Sequence, residues 1–312
     1  HAKKVDVIYI DPPYNLGGEA KEFRYNDKFV DNEDTFRHSK WLSFMSNRLK
    51  LAKNLLKPDG FLLISINDVE DSQLRLLCDE LFGEQNFISK LIWKTRENVD
   101  SRSLTGVSTD HEYVLAYRRS SKGKFRGKKI NREKYKNPDD DPKGSWMSSP
   151  IDGIATKDRR PNLHYTIVNP KTGQEYNPNP ANGWRFQPST LSRLIQEDRI
   201  IWPKNPKSKP RFKRYLNELQ SEFTGFSSLL DTVYYSAGTR ELRNIMKKEA
   251  FKFPKPKELI STLLEQHENK NALIVDFFAG SGTTGHAVLE SNKIDGGNRK
   301  FILCTNDEGE IS

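Results

Sequence analysis

Short apolar runs alternate with amphipathic segments over the first 118 residues of the chain. The runs are rich in β-branched and aromatic residues, which is typical of buried strands. The predicted strands are residues 5–10, 61–66, 87–93 and 111–117. Between them, apolar residues recur at three- and four-residue steps and predict two helices. These are residues 41–57, ended by Pro58-Asp59-Gly60, and a helix capped by Asn67 or Asp68 that runs to Phe82 and ends at Gly83. This alternation indicates an α/β protein with a largely parallel sheet.

The same pattern returns near the end of the chain. The predicted elements are a helix over about residues 257–267, a strand at 272–278, a glycine-rich turn, a helix to Leu289 and a strand at 300–304. Residues 1–118 and 251–312 are therefore expected to be two halves of one α/β domain.

Residues 119–250 lack this alternation. Up to residue 136 they are rich in Lys, Arg and Ser, and from a turn or linker at 137–142 to about residue 238 they are rich in Pro, Asn and Gly, with a single clear helix near residues 189–197. Aromatic side chains are interleaved with basic ones. Basic groups neutralise phosphates, and aromatics stack on bases or pack a small core. We interpret this region as an inserted substrate-binding domain. An irregular domain whose aromatics are simply its core is the alternative.

The charge of the chain favours a polyanionic partner. Its 312 residues include 51 Lys and Arg against 42 Asp and Glu, a formal net charge of +9. Nucleic acid is the simplest such partner. The basic run of the insert is predicted to bind DNA, with a solvated surface as the alternative. Its candidate residues are Lys204, Lys207, Lys209, Arg211, Lys213 and Arg214.

Membrane and metal functions find no support in the sequence. No apolar run approaches the roughly 18 residues that span a bilayer. The chain has only two cysteines and six scattered histidines, so we expect no zinc site and a reducing, cytoplasmic location. His1 is an unusual first residue, and we expect it to be a cut boundary rather than a natural start.

The first candidate site is Asp11-Pro12-Pro13-Tyr14, directly after the first predicted strand. Ligands of open α/β sheets bind at strand ends. The Asp11 carboxylate and the Pro12 carbonyl are hydrogen-bond acceptors, and Tyr14 offers a flat face, so together they suit a planar ring with an exocyclic amine. A turn that only ends the strand is the alternative.

The second candidate site is the turn from Asp276 to Gly285, between a predicted strand and helix. Glycines let backbone approach a ligand closely, and a helix N-terminus directs N–H groups towards it. A phosphate-binding P-loop is excluded because no lysine follows the last glycine. Asp276 at the strand end suits the ammonium of an amino-acid moiety better than a pyrophosphate. This combination indicates S-adenosylmethionine.

Together, residues 11–14 and 276–283 resemble the DNA amino-methyltransferases. The acid-Pro-Pro-Tyr element comes first and the glycine-rich loop last, which is similar to the β class of that family. The closer resemblance is to modification (Mod) subunits of type III restriction–modification systems, and it covers most of the chain. Such subunits usually extend further on each side, so the resemblance implies that both ends are trimmed. The stretches that carry it are residues 9–15, 41–56, 111–117, 183–186, 253–256 and 301–306.

The resemblance implies a Rossmann-like methyltransferase sheet with an inserted target-recognition domain. In its catalytic element, Asp11, Pro12, Pro13 and Tyr14, the acid and the Pro12 carbonyl would bind the N6 amine of adenine. Tyr14 would stack on the flipped base. The implied S-adenosylmethionine site consists of Asp11, Phe253, Lys255, Pro256, Asp276, Phe277, Phe278, Ala279, Gly280, Ser281, Gly282 and Thr283.

Two departures from the family pattern concern this cofactor site. Phe277 stands where many relatives have proline. Thr305 stands where an acid that binds the ribose is expected, and Asp307 and Glu308 both remain candidates for that role.

The resemblance further implies an adenine-N6 methyltransferase of double-stranded DNA in the bacterial cytoplasm. It would form a homodimer and act with a restriction subunit that carries helicase and nuclease activity. Three alternatives stay open: methylation of cytosine N4, methylation of RNA or a protein amide, and a DNA-binding subunit with a vestigial methyltransferase fold.

Overall fold

The computed structural model describes residues 2–16, 24–25, 28–31, 33–205, 207–247 and 253–305. The chain divides into two compact units. The larger unit comprises residues 1–128 and 225–312, and the smaller unit comprises residues 129–224.

The helices and strands follow one another in three segments. Up to the unit boundary they are β1 (Val5–Ile10), β2 (Arg24–Tyr25), β3 (Lys28–Phe29), α1 (Arg37–Leu55), β4 (Leu56–Ile66), α2 (Asp71–Phe82), β5 (Phe87–Lys94), β6 (His111–Arg118) and β7 (Lys128–Lys129). The smaller unit forms β8 (Trp146–Pro150), β9 (Ile167–Val168), β10 (Glu175–Tyr176), α3 (Pro188–Gln196), β11 (Ile200–Ile201), β12 (Arg211–Tyr215) and β13 (Phe223–Thr224). The last segment forms β14 (Leu229–Leu230), α4 (Tyr235–Met246), α5 (Lys257–Leu264), β15 (Leu273–Asp276), α6 (Thr283–Asp295) and β16 (Lys300–Leu303).

A seven-stranded sheet in the order β14-β5-β6-β4-β1-β15-β16 organises the larger unit. Its strands are parallel except β6, which runs antiparallel to both β4 and β5. The predicted α/β fold class is confirmed, and the sheet contains strands from both the first 118 residues and the last 62. The antiparallel β6 was not predicted, since apolar content does not encode strand direction.

Strand β1 lies near the middle of the sheet because both of its faces are apolar. Ile8 and Ile10 belong to one core cluster with residues of α1 and α2. Val7 and Tyr9 belong to another with residues of α5 and α6. A strand buried on both faces is typical of parallel sheets covered by helices on each side.

Asp6 is the buried polar exception in β1, with 2% of its surface exposed. Its Oδ1 accepts from Lys57 Nζ at 2.8 Å and Asn269 Nδ2 at 3.1 Å, and its Oδ2 accepts from the Leu273 amide at 2.8 Å. Burial raises the pKa of Asp6, but the hydrogen bonds from Lys57 and the other donors outweigh it and the net pKa is lowered. These bonds tie the start of β1 to the start of β15.

The predicted end of the first helix was wrong. Helix α1 ends at Leu55, and Pro58-Asp59-Gly60 lie within β4. The pairing shifts register there, since Val5 pairs with Leu56 but Val7 with Phe61. A Cβ on Gly60 would lie 2.9 Å from the Asp6 carbonyl oxygen, so only glycine lets the strands approach this closely.

The smaller unit is shorter at both ends than the predicted insert of residues 119–250. Residues 225–247 pack in the larger unit, where Leu229 and Leu230 of β14 pair with β5. Helix α4 was not predicted, and Gly238 is the only residue in it that is buried.

Within the smaller unit, a three-stranded antiparallel sheet in the order β11-β12-β8 packs with α3. Trp184 is 1% exposed and donates from Nε1 to the Tyr165 carbonyl at 2.7 Å. Phe212 and Tyr215 are also buried. These three aromatics form the interior of the unit, as the alternative interpretation expected.

Among the described residues, no helix combines the length and apolarity that crossing a membrane requires.

Candidate active site

The two candidate elements lie at the ends of neighbouring strands. Strand β1 pairs in parallel with β15, with Val7 opposite Ile274 and Ile8 opposite Val275. Asp11 follows the last residue of β1, and Asp276 is the last residue of β15. The fold therefore brings together two sequence elements that are far apart along the chain.

Asp11, Tyr14 and Lys255 form a compact polar cluster at the end of β1. Lys255 Nζ lies 2.9 Å from Asp11 Oδ1 and 2.8 Å from Asp11 Oδ2, and 3.0 Å from the Tyr14 hydroxyl. The Tyr14 hydroxyl is 2.9 Å from Asp11 Oδ1. Lys255, predicted to bind cofactor, thus contacts the proposed base-binding carboxylate directly.

Two further residues complete the cluster, and the sequence analysis missed both of them. Glu112 Oε2 lies 3.0 Å from the Tyr14 hydroxyl and 3.5 Å from Lys255 Nζ. The Tyr235 hydroxyl donates to Glu112 Oε1. The sequence placed Glu112 in a predicted strand and Tyr235 among the aromatics of the predicted insert, and it indicated a role in the site for neither. An acid inside an otherwise apolar strand was the one available signal.

The charges of the cluster shift its protonation equilibria. Burial alone would lower the pKa of Lys255, but the nearby Asp11 and Glu112 carboxyl groups outweigh it and raise the net value. Burial, followed by Asp11 and Glu112, raises the pKa of Tyr14 well above its ordinary value. Lys255 therefore stays an ammonium and Tyr14 stays a phenol at neutral pH.

The acid-Pro-Pro-Tyr turn is held by helix α1 and by Glu70, the residue that precedes α2. Trp41 Nε1 of α1 donates to the Pro13 carbonyl at 2.7 Å. Asn15 has a left-handed φ of 57° and donates from Nδ2 to Glu70 Oε1 at 2.5 Å. Within the described part of the chain, no donor contacts the Pro12 carbonyl, which leaves it available as an acceptor.

The glycine-rich turn is organised around Asp276. Its Oδ1 accepts from the Phe278 amide at 2.9 Å and its Oδ2 from Thr284 Oγ1 at 2.5 Å. Gly280 and Gly282 have φ angles of 49° and 79°, which glycine adopts without strain. Gly282 is the N-cap of α6. The first N–H groups of that helix have no partner within the helix and point from its N-terminal end towards the turn.

Asp276 is 2% exposed. Its burial raises its pKa to about 7, despite the hydrogen bonds from Thr284 and the Phe278 amide that lower it. A desolvated carboxyl group with no cation among its described partners suits a cationic ligand group.

The remaining predicted cofactor residues have different surroundings. Phe253 is 75% exposed, with a φ of 55°. Pro256 caps α5. Phe278 packs on Phe44 of α1, and Phe277 packs on Phe278 with their ring centroids 5.3 Å apart. Ala279 is buried, and Ser281 and Thr283 share a hydrogen bond of 3.0 Å. Asp307 and Glu308 lie outside the described residues.

The six predicted DNA-binding residues of the smaller unit differ in exposure. Lys204, Lys207, Arg211 and Arg214 are exposed. Lys209 and Arg211 are held by Asp152 and Ser148, each at 2.6 Å. Lys213 is 7% exposed and pairs with Asp139 and Asp141. The DNA contact at Lys213 stays a prediction, and this ammonium is already paired with two carboxylates inside the unit.

One group among the described residues has the spacing of metal ligands, namely Glu241, His286 and Glu290. Lys257 Nζ contacts both acids, Glu241 at 2.8 Å and Glu290 as well. The ammonium therefore supplies the positive charge that this group needs.

Comparison with known proteins assigns the family. The family model for DNA methylases matches residues 5–311. The chain belongs to this family. It is 33% identical to the Mod subunit of the type III restriction–modification enzyme StyLTI of Salmonella typhimurium, over 99% of this chain and 50% of that protein. It is 32% identical to the type II methyltransferase M.KpnI of Klebsiella pneumoniae, over 96% of this chain and 75% of that protein.

The type III likeness extends to the EcoPI Mod subunit of Escherichia phage P1, 32% identical over 99% of this chain and 55% of that protein. This DNA methylase thus spans about half the length of the type III Mod subunits that it matches. Among solved structures, the PvuII cytosine-N4-specific DNA methyltransferase superposes with a TM-score of 0.50 at 12% identity, covering 99% of this chain and 77% of that one. That likeness shows the shared fold.

A Gly238→Ala variant of this methylase is expected to displace Lys255. A Cβ at Gly238 in α4 would lie 2.3 Å from the Pro254 carbonyl oxygen and 3.0 Å from the Lys255 carbonyl carbon. Such overpacking costs about 1–3 kcal/mol. Chemical denaturation should show that loss, whereas Gly225→Ala, where a Cβ would meet nothing within 4 Å, should leave the free energy of unfolding nearly unchanged. Equal stability of the two variants would contradict the close packing of α4 on residues 254–256.

Proposed function

We propose that this chain carries the catalytic part of a site-specific DNA methyltransferase that transfers a methyl group from S-adenosylmethionine to N6 of adenine. One observation carries the proposal: Asp11 and its Tyr14 partner end the strand that lies beside the Asp276 turn. An amine bound at Asp11 would then be adjacent to a methyl donor bound at the turn. Membership of the DNA methylase family supports this assignment.

The residues of the turn fit S-adenosylmethionine. Asp276 would accept the ammonium of its methionine moiety, and the φ angles of Gly280 and Gly282 leave backbone open to the ligand. The N-terminus of α6 directs N–H groups towards the same space. When bound, this cofactor supplies an electrophilic methyl group on a sulfonium.

Asp11 is suited to hold the amine of a flipped base. Among its described partners, Oδ1 has two donors, Tyr14 and Lys255, while Oδ2 has Lys255 alone. A carboxylate oxygen accepts about two hydrogen bonds, so Oδ2 keeps one lone pair for an amine hydrogen. The Pro12 carbonyl would accept the second. Acceptors on both hydrogens favour a pyramidal nitrogen and stabilise the positive charge that develops on it.

Lys255 positions Asp11 for this role. Its two contacts to the carboxylate fix the orientation of the group. Burial lowers the pKa of Lys255, but Asp11 and Glu112 outweigh burial and raise the net pKa, so the side chain stays an ammonium. Orienting the amine in line with the methyl–sulfur bond supplies much of the remaining rate acceleration. Flipping the base out of the duplex gives it access to Asp11 at a cost of a few kcal/mol.

Cofactor affinity is expected to fall as the pH drops below about 7. The pKa of Asp276 is raised to about 7 by burial, so in acid this group is neutral and no longer attracts an ammonium. Calorimetry between pH 8 and pH 5.5 should show affinity for S-adenosylmethionine decreasing by up to about tenfold per pH unit. Methylthioadenosine lacks the ammonium and should show no such trend. The same pH dependence for both ligands would remove Asp276 from the cofactor site.

The wider assignment rests on similarity to type III Mod subunits. It favours adenine over cytosine, a homodimer, and a restriction subunit as partner in a bacterial cytoplasm. Residues 129–224 would recognise the target sequence, with Lys204, Lys207, Arg211 and Arg214 as the exposed phosphate-binding candidates.

Sequencing of DNA from a methylation-free host that expresses the protein tests the function. N6-methyladenine confined to one sequence motif is the expected result. N4-methylcytosine would instead support the cytosine alternative, and unmodified DNA together with measurable cofactor binding would contradict a DNA substrate. The motif itself defines the specificity of the smaller unit.

A further inference from the structure

We infer that Glu112 is a positioning residue that turns the Tyr14 hydroxyl hydrogen away from Asp11 and so keeps Asp11 free to accept the substrate amine. This inference rests on the proposed methyltransferase function. It assigns a role to an acid in β6 that belongs to neither candidate element of the sequence.

The Tyr14 hydroxyl has two competing acceptors. It lies 2.9 Å from Asp11 Oδ1 and 3.0 Å from Glu112 Oε2, while Lys255 Nζ donates to its oxygen at 3.0 Å. A phenol carries one hydrogen and can donate to only one carboxylate at a time. The direction of this hydrogen therefore decides how many lone pairs Asp11 has left.

The surrounding charges favour donation to Glu112. Lys255 already contacts both oxygens of Asp11, at 2.8 and 2.9 Å, but it is 3.5 Å from Glu112 Oε2. Coulomb attraction weakens with distance, so the ammonium compensates Asp11 more fully. Tyr235 donates to Glu112 Oε1, and Tyr14, at 3.0 Å, is the closest described donor to Oε2. A part-buried carboxylate oxygen without a donor is costly.

Glu112 is held in place for this competition. It pairs with Trp93 across β5 and β6, and the Trp93 ring packs on Tyr235 with centroids 4.7 Å apart. The Glu112 side chain is 13% exposed, against 27% for Asp11. The more accessible carboxylate is thus left for substrate, and the less accessible one takes the Tyr14 hydrogen.

With the hydrogen on the Glu112 side, Asp11 keeps a free lone pair on each oxygen. With it on the Asp11 side, Oδ1 has no free lone pair, and the phenol withdraws negative charge from the carboxylate whose Oδ2 accepts the amine. Removing the charge of Glu112 should therefore slow methyl transfer because the Tyr14 hydrogen turns to Asp11. Cofactor binding should not change.

The test compares the single-turnover methylation rates of the unmodified protein and its variants. The substrate is DNA that contains the motif found by sequencing and carries no adenine methylation. Glu112→Gln keeps the size of the side chain and can still bond both phenols. Its neutral amide attracts the Tyr14 hydroxyl hydrogen less than the charged Asp11 does, so this hydrogen turns to Asp11. We expect its rate to fall about 10- to 100-fold, the effect of one hydrogen bond to a charged group. Affinity for S-adenosylmethionine should stay within about twofold. Glu97→Gln, an exposed acid in the loop after β5, is the matched control and should keep the full rate.

A double variant separates this role from a structural one. Adding Tyr14→Phe to Glu112→Gln removes the misdirected hydrogen, so the double variant should be faster than Glu112→Gln alone. Neutron diffraction of the unmodified protein gives an independent readout, with deuterium on Tyr14 expected towards Glu112 Oε2.

Three results would overturn the inference alone: a full rate in Glu112→Gln, a double variant no faster than the single one, or deuterium directed at Asp11. If the unmodified protein transfers no methyl group to DNA, the proposed function and this inference both fail.

Discussion

Asp11→Asn is expected to lower the single-turnover rate of methyl transfer by at least about 10²–10³-fold, the range for one lost charge-stabilising contact. An amide has one acceptor oxygen, and Lys255 would compete for it with the substrate amine. The other end of the amide is a donor, which repels an N–H donor. The methyl acceptor would lose both its orientation and the negative charge that stabilises its developing positive charge. Affinity for S-adenosylmethionine, measured by calorimetry, should change by less than about twofold.

Asp68→Asn is the matched control for that variant. Asp68 also follows a central strand, β4, but its carboxylate bonds Tyr113 at 2.7 Å and is not part of the Asp11 cluster. Its substitution should leave the rate of transfer near that of the unmodified protein. A thermal unfolding curve guards against misfolding, because Asp11→Asn weakens the pairing of buried Lys255. A folded Asp11→Asn protein that methylates at the full rate would exclude Asp11 from the reaction.

The fold could be predicted from the sequence because short local patterns mark its central strands and helix ends. Residues 5–10, 61–66 and 272–278 are apolar on both faces, which marks central strands of a covered sheet. Gly282 at the start of α6 and Gly83 at the end of α2 fix helix boundaries through their own backbone conformations. Each of these features lies within a few residues of the sequence that determines it.

The cluster around Asp11 could not be predicted in full, because its members meet only through the tertiary fold. Glu112 reaches Tyr14 because β6 enters the sheet antiparallel, between β5 and β4. Tyr235 reaches Glu112 because residues 225–247 return to the larger unit. Neither the strand direction nor the return has a local sequence signal.

Lys255 and Lys213 illustrate the same limit for charged residues. Family resemblance associated Lys255 with the cofactor, whereas its closest partners are Asp11 and Tyr14. The basic run suggested that Lys213 is a surface charge, whereas Asp139 and Asp141 neutralise it inside the smaller unit. A lysine's partner is set by packing, and its sequence neighbours do not reveal it.

Gly280→Asp is expected to weaken binding of S-adenosylmethionine at least 100-fold, about 2.7 kcal/mol. In the proposed cofactor site, Gly280, with its φ of 49°, would place its backbone against the ligand, and a side chain there would occupy that space. Its carboxylate would also add negative charge to the turn that holds the desolvated Asp276. The matched control is Gly296→Asp at the other end of α6, where φ is 67° and a Cβ would meet nothing within 4 Å. Both variants impose a similar backbone strain, so calorimetry isolates the effect of position. Equal cofactor affinity in the two would show that the Asp276 turn does not bind the methyl donor, and the proposed site would lose its second half.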